Sequence, residues 1–405
     1  MRHGADRTDG RVEEMQGLQG PFSFPEKLLQ KIWLQGLFDT HGARLRDGRR
    51  LEVLAPGRWN LLGGPDFRAA RLRIDGVETA GDVEVHFHSA DWMHHGHDRD
   101  PAYEGVVLHV VLFEPRTGWA PPRTLGGRVL PELVLLPWLH CHLEEFAADD
   151  ALEALAQRDA VGLARPLLEL PPPARFACLQ TAAAKRWQQK VHFAQVRIAR
   201  LGWEGACHHT ALEILGYRFN RAAMLAVAER LPLPAWRAGL EVAAALQAGE
   251  PLWRRQGVRP ANVPSRRLEQ YRAWVARVPD WPERWGGWGA ASELPVPDSA
   301  LADVAAVRRV HGQRAWRERL AGEIVGGAFG GARLDTLIGN GLLPLLAART
   351  GCPAYSRWYC GDAGEAAERL TKALRLAGVF GRGGAPPHEG ALQGMLQLAL
   401  ERQFT

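Results

Sequence analysis

The sequence contains no closely spaced pair of cysteines. Its five cysteines are scattered over 405 residues and form no Cys-x-x-Cys motif: Cys141, Cys178, Cys207, Cys352 and Cys360. Disulfide frameworks and thiolate zinc sites are both built from regularly spaced cysteines, so neither is expected here. Free, scattered cysteines are typical of a reducing compartment, and we expect a cytoplasmic protein.

Long apolar runs are also absent. The first residues, MRHGADRTDGRVEEMQG, lack the apolar centre of a secretory signal, and no later window approaches the roughly 18 uninterrupted apolar residues of a membrane span. We therefore expect no membrane partner. The excess of positive charge is small, with 50 Lys and Arg against 45 Asp and Glu. A net charge of +5 indicates an anionic partner only weakly.

The pattern of apolar residues changes along the chain. Residues 1–20 are polar and are expected to be disordered, and a helix is predicted after Pro25, where Leu28, Ile32 and Trp33 recur at helical spacing. From about 50 to 140 the apolar period is two, which predicts a sheet. The predicted strands are RLEVL, FRAARLRI, DVEVHFH, VVLHVVLF and RVLPELVLL.

Beyond residue 143 the chain is rich in Ala, Leu, Arg and Glu and is predicted to be helical, with the first helices at 144–158, 175–201, 207–231 and 235–249. The expected class is therefore α+β, with an α/β domain over 21–143 and a mostly α-helical region over 144–405. The tryptophan- and proline-rich segment VPDWPERWGGWG places a further candidate boundary near 278–298.

Histidines are concentrated next to the predicted central strand. Residues 81–111, GDVEVHFHSADWMHHGHDRDPAYEGVVLHVV, contain six of the fifteen histidines in the chain. The preceding residues predict a hairpin with a type I′ turn at Asp75-Gly76, which would pair Ile74 with Val77. The alternation of the first strand breaks near residues 69–71, and one extra residue there, a β-bulge, would explain the break.

The predicted bulge places Asp66 opposite Glu84, with His86 on the same face two residues further on. Directly opposed residues have Cβ atoms about 4.5–5.5 Å apart, close enough for two carboxylates to share a divalent cation. Mg²⁺ or Mn²⁺ would suit two carboxylates, and a neutral histidine would orient or deprotonate a water molecule. Asp82 and His88 extend this row. The alternative is a solvated sheet face with cross-strand hydrogen bonds.

This arrangement resembles the PD-(D/E)XK phosphodiesterase superfamily. Pro65-Asp66 and Glu84-Val85-His86 stand where that superfamily has Pro-Asp and Glu-X-Lys, with His86 in the place of lysine. The resemblance covers at most residues 22–140, and it makes Glu26, on the first helix, a further acidic candidate. It implies a restriction-endonuclease-like mixed sheet flanked by helices, with Asp66, Glu84 and His86 as catalytic residues.

Longer sequence words resemble a family of uncharacterised bacterial proteins. They are GPDF, GDVEVHFHSADW, HGHDRDPAY and VVLHVV in the first half, and RPANVPSRRL and IGNGLLPLLAAR in the second. This resemblance extends over nearly the whole chain. It implies no established activity.

The loop DWMHHGHDRDPAY offers a second candidate site. Imidazole and carboxylate are suitable zinc ligands, so the loop could bind Zn²⁺ together with His86 or His88. Its candidate ligands are His94, His95, His97, Asp98 and Asp100. The alternative is that they cap turns, with Asp91 as an N-cap and Asp100-Pro101 opening another turn. His109, inside the most apolar strand, is expected to be a hydrogen-bonded core residue.

Basic residues on the predicted helices suggest contacts with nucleic acid. Lys185, Arg186 and Lys190 lie among aromatic residues on one predicted helix, and Arg259 and Arg266 flank a predicted helix start. A solvated helix face would look the same.

The expected function is a metal-dependent phosphodiester hydrolase of the nuclease type that acts on nucleic acid with Mg²⁺ or Mn²⁺. The alternatives are a catalytically inactive nuclease-like binding module and a zinc-dependent hydrolase that uses the histidine loop. The oligomeric state stays open.

Overall fold

The computed structural model describes most of the chain. The described residues are 12–18, 20–60, 63–115, 118, 120–147, 150, 159–250, 252–288, 297–364, 368–380 and 387–401. The chain divides into two compact units, residues 1–147 and residues 148–405. The first contains the sheet and the second is helical, so the predicted α+β class is confirmed.

The N-terminal unit is built on a mixed sheet. Its strands follow the order β3-β5-β6-β7-β8, with β4 paired to β5, and β1 and β2 form a separate hairpin. Strand β6 is antiparallel to β5 and parallel to β7, which is parallel to β8. The strands are β1 (Val12–Gly17), β2 (Gly20–Pro25), β3 (Leu51–Ala55), β4 (Arg58–Trp59), β5 (Phe67–Ile74), β6 (Val77–His86), β7 (Val106–Val111) and β8 (Glu132–Val134). The unit also contains helices α1 (Glu26–Gln35) and α2 (Asp91–His94).

The β5–β6 hairpin has the predicted turn and the predicted bulge. Ile74 pairs with Val77, and Asp75 and Gly76 both have positive φ, as a type I′ turn requires. The register shifts by one residue between Phe67 and Ala70, where Ala69 has φ +57°. Phe67 consequently pairs with Val83, and the acidic and histidine side chains of β6 keep to the face opposite Val83 and Val85.

The two faces of the sheet differ in chemistry near the end of β6. Phe67, Val83 and Val85 are fully buried in the apolar core, with Ile32 and Trp33 of α1. The opposite face carries a polar row across three strands, because Glu84 pairs with His109 of β7, and His109 pairs with Glu132 of β8. All three are almost completely buried. Buried polar groups need partners, so this row must be internally satisfied.

Part of the segment expected to be disordered is a strand. Residues 12–17 form β1, which pairs along its whole length with β2. Pairing gives the backbone of this polar segment hydrogen-bond partners that composition alone does not reveal. Residues 1–11 lie outside the described residues.

The second unit is a helical assembly. Its helices are α3 (Ala160–Leu168), α4 (Pro172–Arg230), α5 (Leu233–Arg237), α6 (Val242–Ala248), α7 (Pro264–Arg277), α8 (Trp281–Trp288), α9 (Val304–Val310), α10 (Gln313–Glu323), α11 (Gly331–Leu337), α12 (Leu343–Thr350), α13 (Tyr355–Tyr359), α14 (Glu368–Leu376) and α15 (Glu389–Glu401). A π-helical turn, Ile338–Leu342, joins α11 to α12. No described helix is both long enough and apolar enough to cross a bilayer.

The described part of the segment 278–298 packs in the helical core, and the boundary expected there stays a prediction. Residues 281–288 form α8, and Trp281 and Trp285 are fully buried in the core shared by the surrounding helices. The Gly and Pro content of this segment is typical of a linker, but its tryptophans bury enough apolar surface to hold it in the core. Most of the helix predicted at 144–158 falls outside the described residues.

Helix α4 is not straight. Arg197 donates to the Thr210 hydroxyl at 2.8 Å and to Glu213 Oε2 at 2.6 Å. Sixteen residues of straight helix would span about 24 Å, so the axis must fold back between these residues. Gly202, with φ +70°, lies between them and provides the left-handed conformation at the break.

Candidate metal centre

Three histidines lie close together at the end of β6, and the Glu84 carboxylate lies beside two of them. Nitrogen atoms of His86, His95 and His97 all lie within 4.8 Å of one another. His95 Nδ1 is 3.1 Å from His86 Nε2. Glu84 Oε1 is 3.4 Å from Nε2 of His86 and 3.4 Å from Nε2 of His97. Strand β6 supplies Glu84 and His86, and the loop after α2 supplies the other two.

Three of these spacings are close to the edge length of a metal coordination tetrahedron. Zinc–nitrogen and zinc–carboxylate bonds are about 2.0–2.2 Å long, so neighbouring ligand atoms around a tetrahedral zinc lie about 3.3–3.6 Å apart. The three measured separations are 3.1, 3.4 and 3.4 Å. Glu84, His86 and His97 are nearly inaccessible to solvent, whereas His95 is exposed. The centre is therefore accessible from the side of His95.

The loop is held in place by aromatic packing and by caps. The ring of His97 stacks on Tyr103 with centroids 3.7 Å apart, and Trp92 packs edge-on against His97. Asp91 accepts from the His88 amide, and Asp100 accepts from the Ala102 amide. The predicted capping role of Asp100 is thus confirmed, and Asp91 sits inside α2, at its first residue.

Asp66 touches this centre through its backbone. Its amide donates to Glu84 Oε2 at 2.9 Å. Its carboxylate accepts from the amide of Val85 at 3.1 Å and from Gln30 Nε2 of α1 at 2.7 Å. Asp66 and Glu84 are therefore adjacent, and Asp66 fixes the strand segment between Glu84 and His86. Glu26, on the same helix as Gln30, is also buried.

Behind His86 lies a chain of hydrogen bonds. His86 Nδ1 is 2.9 Å from His109 Nε2, and His109 Nδ1 is 3.0 Å from Glu132 Oε1. Glu132 also accepts from the Ser89 hydroxyl and from Arg46. Burial alone would raise the pKa of the Glu132 carboxyl. These hydrogen bonds, above all that of His109, have a larger effect in the opposite direction, so the pKa lies below its usual value. Glu132 is therefore ionised at neutral pH.

Three other predicted ligands lie apart from this point. Asp82 accepts from the Ala69 amide at the bulge, and His88 Nε2 is 3.2 Å from a carboxylate oxygen of Glu13 in β1. The side chain of His94 is 70% exposed, with Nδ1 3.7 Å from an oxygen of Asp91. The single turn of α2 directs His94 outward and leaves His95 facing His86.

Sequence patterns could have identified Glu132 but not its partners. An acid in the apolar run RVLPELVLL predicts a buried carboxylate that needs a partner. The contact with His109 depends on the register between parallel strands distant in sequence, which has no local signal.

One comparison with known proteins gives a match. The model of DUF2851, described as a protein of unknown function, matches residues 26–249. The chain belongs to this family. No curated protein and no solved structure matches it. The matched region of this DUF2851 protein contains every residue of the candidate metal centre.

The basic residues predicted to contact nucleic acid lie in the helical unit of this DUF2851 protein. Arg186 is buried and donates to Gln393 of α15, and Lys190 donates to Asn340 of the π-helical turn at 2.6 Å. Lys185 is half-buried, and Arg259 and Arg266 are exposed. Arg186 and Lys190 thus take part in helix packing, and their contact with nucleic acid stays a prediction.

Proposed function

We propose that the N-terminal unit is a metal-dependent phosphodiester hydrolase whose cation is held by Glu84, His86, His95 and His97. The observation that carries this proposal is the cluster of three imidazoles within 4.8 Å of one another, with the Glu84 carboxylate 3.4 Å from two of them. The cation would polarise the scissile phosphoryl group and lower the pKa of the attacking water.

The donor set favours particular cations. Mg²⁺ prefers an all-oxygen octahedral environment, whereas Zn²⁺ readily accepts imidazole together with carboxylate. Three nitrogen donors and one oxygen donor therefore support Zn²⁺ first and Mn²⁺ second, and they weigh against Mg²⁺. A centre with one exposed ligand, His95, also suits a catalytic cation, which needs an accessible position for water or substrate.

A pair of arginines supports an anionic substrate. Arg58 and Arg68 are directly opposed across β4 and β5, and both are exposed. Arg68 alternates with buried Phe67, so it projects from the sheet face to which Glu84 and His86 belong. Its guanidinium lies against the Gly63-Gly64 loop that leads to Asp66. Opposed like charges repel, and a bridging phosphate would relieve that repulsion.

The element order supports the likeness to the PD-(D/E)XK superfamily as part of this proposal. A helix precedes the sheet, Asp66 directly precedes β5, and Glu84 and His86 end the neighbouring strand. We propose a restriction-endonuclease-like arrangement in which histidine ligands have replaced the lysine-centred chemistry, with nucleic acid as the substrate.

Glutamine and alanine substitutions test the centre. Glu84→Gln should weaken Zn²⁺ binding, measured by calorimetry, by more than the roughly 10–100-fold that is typical when a residue hydrogen-bonded to a ligand is changed, and it should abolish cleavage. His86→Ala should do the same. Glu78→Gln, on the same strand but 55% exposed, and His94→Ala are the matched controls and should leave binding intact. Cleavage is assayed on single- and double-stranded DNA and RNA with Zn²⁺, Mn²⁺ and Mg²⁺.

The substitution His86→Lys distinguishes a cation held by histidine ligands from a Mg²⁺ ion held by two carboxylates. If His86 is a ligand, His86→Lys should remain inactive, because a protonated lysine cannot coordinate the cation. Restored Mg²⁺-dependent cleavage in His86→Lys would instead favour the two-carboxylate site. Wild-type protein that binds Zn²⁺ but cleaves none of the four substrates would leave a metal-binding module without nuclease activity.

A further inference from the structure

The hydrogen-bond chain behind His86 has a defined direction. Its far end is Glu132, which accepts from Ser89 and from Arg46 and is ionised at neutral pH. An ionised carboxylate has no hydrogen to donate, so the 3.0 Å contact with His109 requires the hydrogen to be on His109 Nδ1.

The same reasoning passes through His109 to His86. A neutral imidazole with a hydrogen on Nδ1 has a lone pair on Nε2. In neutral His109 the Nε2 atom then accepts at 2.9 Å, and the hydrogen in that contact belongs to His86 Nδ1. Neutral His86 therefore carries no hydrogen on Nε2. That atom is the one directed at Glu84 and His95.

We propose that His109 and Glu132 are positioning residues that hold His86 in the Nδ1-protonated tautomer, so that its Nε2 lone pair is fixed toward the cation. This inference rests on the proposed function for the cation, but the tautomer itself does not depend on a bound metal. In free histidine the Nε2-protonated tautomer is the more common one, and it would direct a hydrogen at the site. The relay therefore prepares His86 as a ligand before any cation arrives.

The burial of the relay explains why it can enforce one tautomer. His86, His109 and Glu132 are 1%, 0% and 3% exposed, so water cannot easily replace a lost hydrogen bond. Reversing the tautomer of His86 would set two hydrogen-bond acceptors, or two donors, against each other somewhere along the chain. A buried polar contact left unsatisfied in this way is destabilising, because water cannot take the place of the missing partner.

A matched pair of substitutions at His109 tests the proposal. His109→Gln carries an amide oxygen that can accept from His86 and an amide nitrogen that can donate to Glu132, so it can preserve the direction of the chain. His109→Leu fills similar space but offers neither group. The full-length wild type and both variants are compared at pH 8 by two-bond ¹H–¹⁵N correlation spectra of the histidine rings, with His86→Gln used to assign the His86 signals.

The expected spectrum of metal-free wild type shows His86 protonated on Nδ1 only. His109→Leu should lose this preference and bind Zn²⁺ about 10–100-fold more weakly, whereas His109→Gln should retain both. Circular dichroism melting identifies any variant that fails to fold, and in that case the wild-type tautomer alone decides. An Nε2-protonated His86 in the wild type, or a folded His109→Leu with unaltered tautomer and Zn²⁺ affinity, would overturn the proposal.

The two proposals fail separately. A wild type that shows the expected tautomer but binds neither Zn²⁺ nor Mn²⁺ would refute the metal-dependent function and leave the relay standing. A wild type that binds Zn²⁺ tightly with the opposite tautomer in its metal-free form would refute the relay and leave the metal centre standing.

Discussion

Gln30 links the first helix to the candidate site. Its amide nitrogen donates to Asp66 Oδ1 at 2.7 Å, and its amide oxygen accepts from the indole of Trp59 at 3.1 Å. One side chain thereby joins α1, β4 and the residue before β5. The side chain of Gln30 is nearly inaccessible to solvent, so its hydrogen bond to Asp66 is buried and the one from Trp59 is partly buried.

Gln30→Met tests the energetic importance of this link. Methionine has a similar length but no amide, so Asp66 and Trp59 each lose a buried hydrogen-bond partner. We expect the free energy of unfolding, measured by urea titration, to fall by about 1–3 kcal/mol. Lys31→Met, at the next position of the same helix, is the control for the change in apolar surface. A loss below about 0.5 kcal/mol in Gln30→Met would show that the link is not stabilising.

The residues of β6 were predictable from sequence, and those of the loop only in part. Strict alternation and a single bulge were enough to place Glu84 and His86 on the face opposite Val83 and Val85. The loop was recognised as a source of ligands, but spacing could not select His95 and His97 over His94. That choice depends on how one turn of helix packs Trp92 and Tyr103 against the sheet.

At the scale of the element, α4 shows how a single glycine redirects a helix. The break at Gly202 brings Arg197 to Glu213, which is also paired with Arg221. Burial alone would raise the pKa of the Glu213 carboxyl. The charges of the two arginines outweigh this effect and lower the pKa to about 2. Breaking a buried pair of this kind leaves an uncompensated charge, so the fold-back is strongly specified.

A pair of glycine-to-alanine substitutions tests the break. Gly202→Ala forces an L-residue into a left-handed conformation, and it should lower the free energy of unfolding by about 1–2 kcal/mol. Gly322→Ala, at an exposed position of α10 with open space around its Cα, should be neutral or stabilise by up to about 1 kcal/mol. Destabilisation of Gly202→Ala but not of Gly322→Ala in thermal melts would support the break, and equal effects would contradict it.

The sequence predicts where the helices lie better than where each helix begins and ends. The sequence predicts separate helices at 175–201 and 207–231, and the structure has one element, α4, with a sharp bend between them. Conversely, the predicted helix 235–249 is two helices separated by Gly239, with φ +90°. Local propensity does not reveal which glycines adopt positive φ, because tertiary contacts decide it.

At the scale of the whole molecule, two buried histidines couple stability to pH. Burial lowers the pKa of His208 and of His388 to about 4. His208 is held as a neutral ring between the Tyr271 hydroxyl, at 2.6 Å, and the Leu231 carbonyl, at 3.0 Å. Both residues belong to the helical unit, so acid should act on that unit.

Stability should fall as the pH decreases from about 6.5 to about 4. In this range the unfolded chain binds protons that the folded protein excludes, so the free energy of unfolding decreases by up to about 1.4 kcal/mol per pH unit for each histidine. Above pH 7 both residues are neutral in the folded and the unfolded chain, so they do not make the free energy of unfolding depend on pH. Urea titrations followed by tryptophan fluorescence at pH 7.5, 6.0 and 5.0 measure the effect. His208→Gln removes one titrating group, so a slope identical to that of the wild type would contradict the assignment.

The bulge at Ala69 restricts which changes of chain length the protein can accept. Within the paired parts of β5 and β6, a deletion or insertion of one residue would move the residues beyond it to the opposite face and separate Asp66 from Glu84. Residues added at the Asp75-Gly76 turn would lengthen the loop and leave that pairing intact. Natural variation in length within this hairpin should therefore be concentrated at the turn, and Asp66 should stay opposite Glu84 among relatives even where the intervening residues differ.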